Sequence, residues 1–504
     1  MSRKSGIIMH ISSLSEKYGI GTFGERAYRF ADFLKQAGQS YWQILPLGHT
    51  GYGDSPYQAF SAFAGNPYFI DLELLVKEGL LEKDELDDID FGTIAEKVDY
   101  GKLFKERFPV LKKAYKRFKQ NPHEEIELFR KENATWLEDY ALYMAIKNEL
   151  GLKSWQEWEP EIKKREPKAM AAYKEKLEDE INYWVFIQYM FFKQWRALKA
   201  YVNKLGIKII GDIPIYVSTD SSDTWANAEL FRLDENKNPE VVAGCPPDAF
   251  SETGQLWGNP IYDWEYLEKT NYAWWVERIR ESLKIYDVVR IDHFRGFEAY
   301  WEIPYGQETA QKGKWVKGPG MKLFNAIQKE LGQINVIAED LGYLTQEVMD
   351  FRDASGYPGM KVLQFAFDTR EESDYLPHNY IKNCIVYTGT HDNDTIMGWF
   401  NTTGLKEDIQ YAKNYLKCNE QEGYHWGFIR GAWSSVGDIA ITQMQDFLGL
   451  GNEARMNLPS TLGINWKWRI QQGVLTENLA NQIYELTKLY GRLNEDDEQT
   501  RTQK

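Results

Sequence analysis

Cysteine is nearly absent: three residues in 504, at positions 245, 384 and 418. They are odd in number, far apart, and lack the close spacing of a metal site. A disulfide framework is therefore excluded, and a reducing cytoplasm is the expected setting. Also missing is any block of basic residues. The net charge is −15, which argues against nucleic acid and anionic membranes as partners and favours a neutral substrate. No stretch is long and apolar enough to span a bilayer. The most aromatic run, Tyr183 to Trp195, is short and broken by Gln188, Lys193 and Gln194, so it reads as a buried amphipathic helix. The apolar run within Met1–His10 is too short for a signal peptide. No solenoid repeat is visible.

What the chain has in abundance is aromatic residues: 18 Trp, 31 Tyr and 25 Phe. Most must be core, but Trp and Tyr also stack on the apolar faces of sugars. Short apolar runs alternate with helical patterns along most of the length. The runs are 6–11, 41–47, 208–215, 288–292, 335–340, 361–368, 383–392 and 438–442. Eight such strands predict an α/β fold, a single (β/α)8 TIM barrel across residues 1–504. Two segments interrupt the rhythm. Residues 66–180 are Lys/Glu-rich and helical in pattern, an expected inserted helical subdomain. Residues 216–270 form a long irregular segment, expected to supply active-site loops. Residues 494–504 make a polar tail.

In such barrels chemistry gathers at the C-terminal strand ends. Those ends carry Asp212, Asp292, Glu339, Asp368, His391 and Asp392. On an extended strand Arg290 and Asp292 share a face, so the guanidinium is expected to hold Asp292 ionised. Glu339 follows an apolar run, where burial raises a carboxyl pKa. Its neighbour Asp340 must face the other way and is expected to be structural. One ionised and one protonated carboxyl are what glycoside chemistry uses. Asp392 is a third acid, suited to holding substrate hydroxyls.

Two motifs point elsewhere and fail on context. Gly19-Ile20-Gly21-Thr22-Phe23-Gly24 matches a dinucleotide fingerprint, but it stands seven residues beyond its strand, and no acid ends the next one. Asp392-Asn393-Asp394 contains a D-x-D metal pattern without any nucleotide cradle, so no metal is expected.

The stretches Arg290-Ile291-Asp292-His293-Phe294, Ala338-Glu339-Asp340-Leu341-Gly342 and Gly389-Thr390-His391-Asp392-Asn393 resemble those of the 4-α-glucanotransferases, also called amylomaltases or disproportionating enzymes, within the α-amylase-like group. So do Gly53–Gln58, Gly211–Val217, Gly244–Ser251, Gly254–Pro260 and Asn457–Trp466. The likeness runs from Gly6 to about Arg469, and the short bacterial form fits best. It implies Asp292 as nucleophile, Glu339 as acid/base and Asp392 as transition-state stabiliser. It implies sugar contacts from Tyr57, Asp212, Asp248, Trp257, Arg290, Asp368, His391 and Asn465. It further implies no cofactor, and α-1,4-glucans or maltooligosaccharides as donor and acceptor, with glucose also an acceptor. A hydrolase using the same carboxylates, with water as acceptor, is the nearest alternative. Oligomeric state, monomer or weak dimer, stays open.

Overall fold

The computed structural model describes residues 3–92, 94–247, 251–342, 344–370 and 372–494. Eight parallel strands form the centre: β1 (Lys4–Ile8), β2 (Tyr41–Gln43), β3 (Lys208–Pro214), β4 (Val288–Asp292), β5 (Val336–Ala338), β6 (Gly359–Val362), β7 (Cys384–Tyr387) and β8 (Ile439–Gln443). They pair in the order β6-β7-β8-β1-β2-β3-β4-β5, every ladder parallel. This is the expected (β/α)8 barrel.

Alternation along each strand divides the core in two. Ile8, Ile210, Val288, Ile337, Met360, Val362, Ile385, Tyr387 and Ile441 form one apolar cluster. It takes one residue set from nearly every strand, as a filled barrel interior requires. Val289 and Ile291 point the other way, into the larger cluster under the helices. Arg290 sits on the interior face of β4, its Nε 3.4 Å from Met360 Sδ.

The ring closes between β5 and β6 by a side chain as well as by backbone. Ala338 N–H donates to the Pro358 carbonyl at 2.9 Å. Asp340 then substitutes for a missing ladder: its Oδ1 accepts the Met360 N–H at 2.7 Å, and its Oδ2 accepts from Arg352 at 2.9 Å. Gly359 lies flush against that carboxylate, where any Cβ would overlap it.

The strands are shorter than the sequence suggests at their C-terminal ends. The apolar run 361–368 is strand only to Val362, then turns into a short 3-10 helix at Leu363–Ala366. Between β6 and β7 the described residues contain 3-10 turns but no α-helix. The segment read as a long irregular loop carries two strands, Val241–Cys245 and Gln255–Pro260. They join Ala299–Pro304 and Lys314–Lys317 in a four-stranded antiparallel sheet. The run Tyr183–Trp195 lies within one long helix, Glu178–Lys204, and is mostly buried. Among the described residues no helix is long and apolar enough to cross a membrane.

Candidate active site

β4 and β5 deliver the central pair of carboxyls. Asp292 ends β4, and Glu339 is the first residue after β5. Glu339 Oε2 accepts the backbone N–H of His293 at 2.6 Å, and its Oε1 accepts that of Leu341 at 2.8 Å. The amide that holds Glu339 thus belongs to the residue directly after Asp292. For that amide to point at Glu339 the chain turns left-handed at His293, with φ of 55°. Such a conformation in a residue with a side chain stores strain and marks a functional turn.

Arg290 does not serve Asp292 alone. Its Nη1 donates to Asp212 Oδ2 at 2.6 Å and to Asp292 Oδ1 at 3.2 Å. Asp212 is fully buried, so the closer contact is the drier one. Burial pushes the Asp292 carboxyl up to about 6 despite the opposing pull of Arg290. Arg290 favours the charged form of Asp292 as expected, but its charge is shared with Asp212 and works against desolvation. Burial raises Glu339 further, to about 7, against its two amide donors and Arg290. Of the two, Asp292 is the one that accepts directly from Arg290, which favours the charge there.

A second chain of contacts reaches across from β7. The Tyr57 hydroxyl donates to Asp212 Oδ2 at 2.8 Å and lies 2.8 Å from His391 Nε2. The Tyr57 and His391 rings stack, 5.2 Å between centroids and 15° apart. Burial lowers the His391 pKa, so the ring is neutral. The Tyr57 hydroxyl is thus shared between Asp212 Oδ2 and His391 Nε2. The same nitrogen lies 3.4 Å from Asp392 Oδ2. Asp392 is the most open of the three acids, its side chain 42% exposed. Asn457 Nδ2 donates to its Oδ1 at 2.6 Å, and Arg455 donates to its carbonyl at 2.6 Å.

Tyr57, Asp212, Arg290, Asp292, Glu339, His391 and Asp392 thus form one connected group. Trp257 borders it: its ring meets His293 edge-on, 4.8 Å between centroids. Two expected residues stand apart. Asp368 lies beyond the 3-10 turn that ends β6, and Arg370 captures its carboxylate at 2.6 Å and holds it at about 2. Asn465 is buried and spends its amide inside its own loop, on Leu458 and Thr461. No contact links either residue to the group among the described residues. Asp248 falls outside the described residues.

Sequence reasoning missed the direct part taken by Asn457. It stands in a run dense in Asn, Pro, Ser and Gly, which reads only as a loop. It also missed that the His293 main chain, rather than its ring, braces Glu339.

A family profile described as 4-alpha-glucanotransferase matches residues 9–476. The 4-alpha-glucanotransferase of Clostridium butyricum is 59% identical over 485 residues, covering 96% of this chain and 100% of that protein. That of Thermus thermophilus is 47% identical over 503 residues, covering 98% of this chain and 100% of its own. Among solved structures, an amylomaltase from Streptococcus agalactiae in complex with acarbose superposes with a TM-score of 0.95 at 46% identity, covering 98% of this chain and 100% of that one. The amylomaltase from Corynebacterium glutamicum, at 18% identity and a TM-score of 0.78, shares the fold over 98% of this chain and 75% of its own. With the profile spanning nearly the whole chain and relatives matched end to end, the chain belongs to the 4-alpha-glucanotransferase family.

Proposed function

We propose that the protein transfers a segment of a (1→4)-α-D-glucan to the 4-hydroxyl of glucose or of another glucan, by double displacement with retention. The observation that carries the proposal is the pairing of Asp292 and Glu339 through one backbone amide, with Arg290 donating directly to Asp292. At neutral pH Asp292 is ionised while Glu339, raised to about 7, keeps a proton on a substantial fraction of molecules.

In this reading Glu339 protonates the glycosidic oxygen as the Asp292 carboxylate attacks the anomeric carbon. The leaving chain departs with that proton, and a β-linked glycosyl ester to Asp292 remains. Glu339, now a carboxylate, takes the proton of the acceptor 4-hydroxyl. The alkoxide oxygen attacks the anomeric carbon, the ester bond breaks, and an α-1,4 bond forms. No energy source is consumed, because one glycosidic bond replaces another. Asp392, held by Asn457, is positioned to bind sugar hydroxyls as the ring distorts. His391, Tyr57 and Arg290 carry the surrounding donors.

Transfer requires that a sugar outcompete water for the intermediate. The loop 48–58 and the strand Gln255–Pro260 beside it are the proposed means. They meet through Gln58 and Asn259, 3.3 Å apart, so both can respond to one ligand. Cysteines that are not joined in disulfides fit a cytoplasmic protein.

Maltotriose as sole substrate tests the proposal. The expected products are glucose and a ladder of longer maltodextrins. Reducing ends that accumulate without a ladder would instead support the hydrolase.

A further inference from the structure

The four-stranded sheet beside the cleft presents an aromatic residue that neither the barrel nor the proposed chemistry uses. Trp315 lies on the edge strand Lys314–Lys317 and is 44% exposed. Its ring is nevertheless held on two sides. Trp301 pairs with it across the strands and meets it edge-on, 5.4 Å between centroids. Trp301 is itself fixed, since its indole N–H donates to the Ala310 carbonyl at 2.8 Å and Gly313 packs flush against it. On the other contact the Arg295 guanidinium carbon stands 4.3 Å from the Trp315 ring centroid. Arg295 is only 9% exposed.

Arg295 ties this ring to the reaction centre. It lies in the 3-10 turn Phe294–Phe297, three residues after Asp292. Three residues of chain span at most about 11 Å. The Arg295 charge also acts on Glu339. The sheet itself continues toward the cleft. Trp315, Trp301, Gly244 and Leu256 lie in register across its four strands. Trp257, the next residue of the strand that carries Leu256, borders the catalytic group from the opposite face of the sheet.

A rigid, half-exposed indole offers preformed apolar surface whose burial by a ligand is favourable. Its size decides what does. A tryptophan carries roughly 150–250 Å² of surface, and less than half of this one is on offer. That is far below the roughly 800 Å² per partner of a stable protein interface. Lys314 and Lys317 flank it, both 73% exposed, which further disfavours a hydrophobic protein contact. A single pyranose matches it: the C–H face of a glucose ring is flat, apolar and about as broad as an indole. Because Trp301 and Arg295 already fix the ring, little conformational entropy remains to be lost on stacking.

We propose that Trp315 is a remote glucan subsite, a stacking platform for an α-1,4-glucan chain running out of the cleft, with Arg295 and Trp301 as its supports. The proposal rests on the glucan-transfer reading and extends it to chains longer than the minimal substrate. The test compares kcat/KM for maltoheptaose and for maltotriose in the intact protein. Trp315→Ala is expected to lower the maltoheptaose value about tenfold more than the maltotriose value, chiefly through KM. Trp315→Phe, which keeps an aromatic face, is expected to recover most of that loss. Equal loss on both donors, or no recovery with Phe, overturns the subsite. So does sedimentation showing that Trp315→Ala merely dissociates a dimer built on this face. The two readings fail separately. A wild type that yields no ladder from maltotriose refutes transfer, whereas a wild-type ladder with equal variant effects refutes only the platform.

Discussion

Burial and the Arg290 charge oppose each other at Asp212, Asp292 and Glu339. Arg290 stands against Asp212 at 2.6 Å and against Asp292 at 3.2 Å, so its charge is divided. Desolvation then leaves Asp292 at about 6 and Glu339 at about 7. The proposed chemistry needs the first ionised and the second protonated. Activity should therefore fall as pH drops below about 6 and again as it rises above about 7, a narrow bell whose limbs belong to the pair. The profile of kcat/KM on maltotriose checks this. A rate that persists undiminished well above pH 7 would remove Glu339 from the acid role. Asn457 offers a second test at this scale. It does not belong to the linked carboxyl group, yet its amide holds Asp392 Oδ1 at 2.6 Å. Asn457→Ala should lower kcat by roughly 10- to 100-fold with little change in KM, the pattern of a lost transition-state interaction. A rise in KM at constant kcat would instead assign Asn457 to ground-state binding.

Strands and loops differ in how much of them the sequence makes readable. β4 was legible because Val288-Val289-Arg290-Ile291-Asp292 alternates cleanly and its two faces meet different clusters. β6 was not, because Leu363-Gln364-Phe365-Ala366 is as apolar as a strand yet coils into a 3-10 turn. Apolar pattern does not distinguish the two over so few residues. Asp368 follows that turn, and its carboxylate pairs with Arg370. The antiparallel sheet escaped notice because its strands are split by long connections and its partners lie on both sides of β4. Pairing at that distance leaves no local trace. The alternation in Ala299-Tyr300-Trp301-Glu302-Ile303 was the available signal. The candidate site was legible where residues end strands and less so where a loop returns, as with Asn457. Element packing also yields a prediction. Gly211 in β3 lies against the Tyr286 ring, where any Cβ would overlap it. Gly211→Ala must push the strand or the ring aside, and Asp212 is the next residue. A loss of about 1–3 kcal/mol in stability is expected, with reduced activity because Asp212 anchors Arg290 and Tyr57. Denaturant unfolding and maltotriose turnover measure the two effects. Full activity in the variant would show that β3 tolerates the shift.

The molecule as a whole buries titratable groups of both kinds, and they set how its stability depends on pH. Glu16 and Asp446 are raised to about 7 and Asp223 to about 6, each mainly by burial. A raised carboxyl stabilises the fold while protonated, and that contribution is lost as pH climbs through the folded value. His10, His49 and His293 are depressed to about 3, also by burial. They act oppositely, weakening the fold as pH falls from their ordinary value of 6.5 toward 3. The two sets offset each other in mild acid, and above about 6.5 the carboxyls act alone. Melting temperature should therefore decline as pH rises through about 7. Asp446 accepts from the Ile396 amide and the Thr388 hydroxyl deep in the core. Asp446→Asn keeps the neutral shape and cannot ionise, so its decline should be shallower than that of wild type. Parallel melting curves across that range would show that Asp446 does not titrate there.

The carboxylate clasp between β5 and β6 has a kinetic consequence. Elsewhere the ring is held by backbone ladders, but here one amide proton, that of Met360, depends on the Asp340 side chain. A rotation about two side-chain bonds releases it, whereas freeing a ladder amide requires a strand to part. Hydrogen exchange should thus begin at this seam, ahead of the other barrel strands. The side chain whose rotation opens the seam, that of Asp340, is the immediate neighbour of Glu339, so the weakest hinge of the ring and the aim of its proton donor are controlled by adjacent side chains.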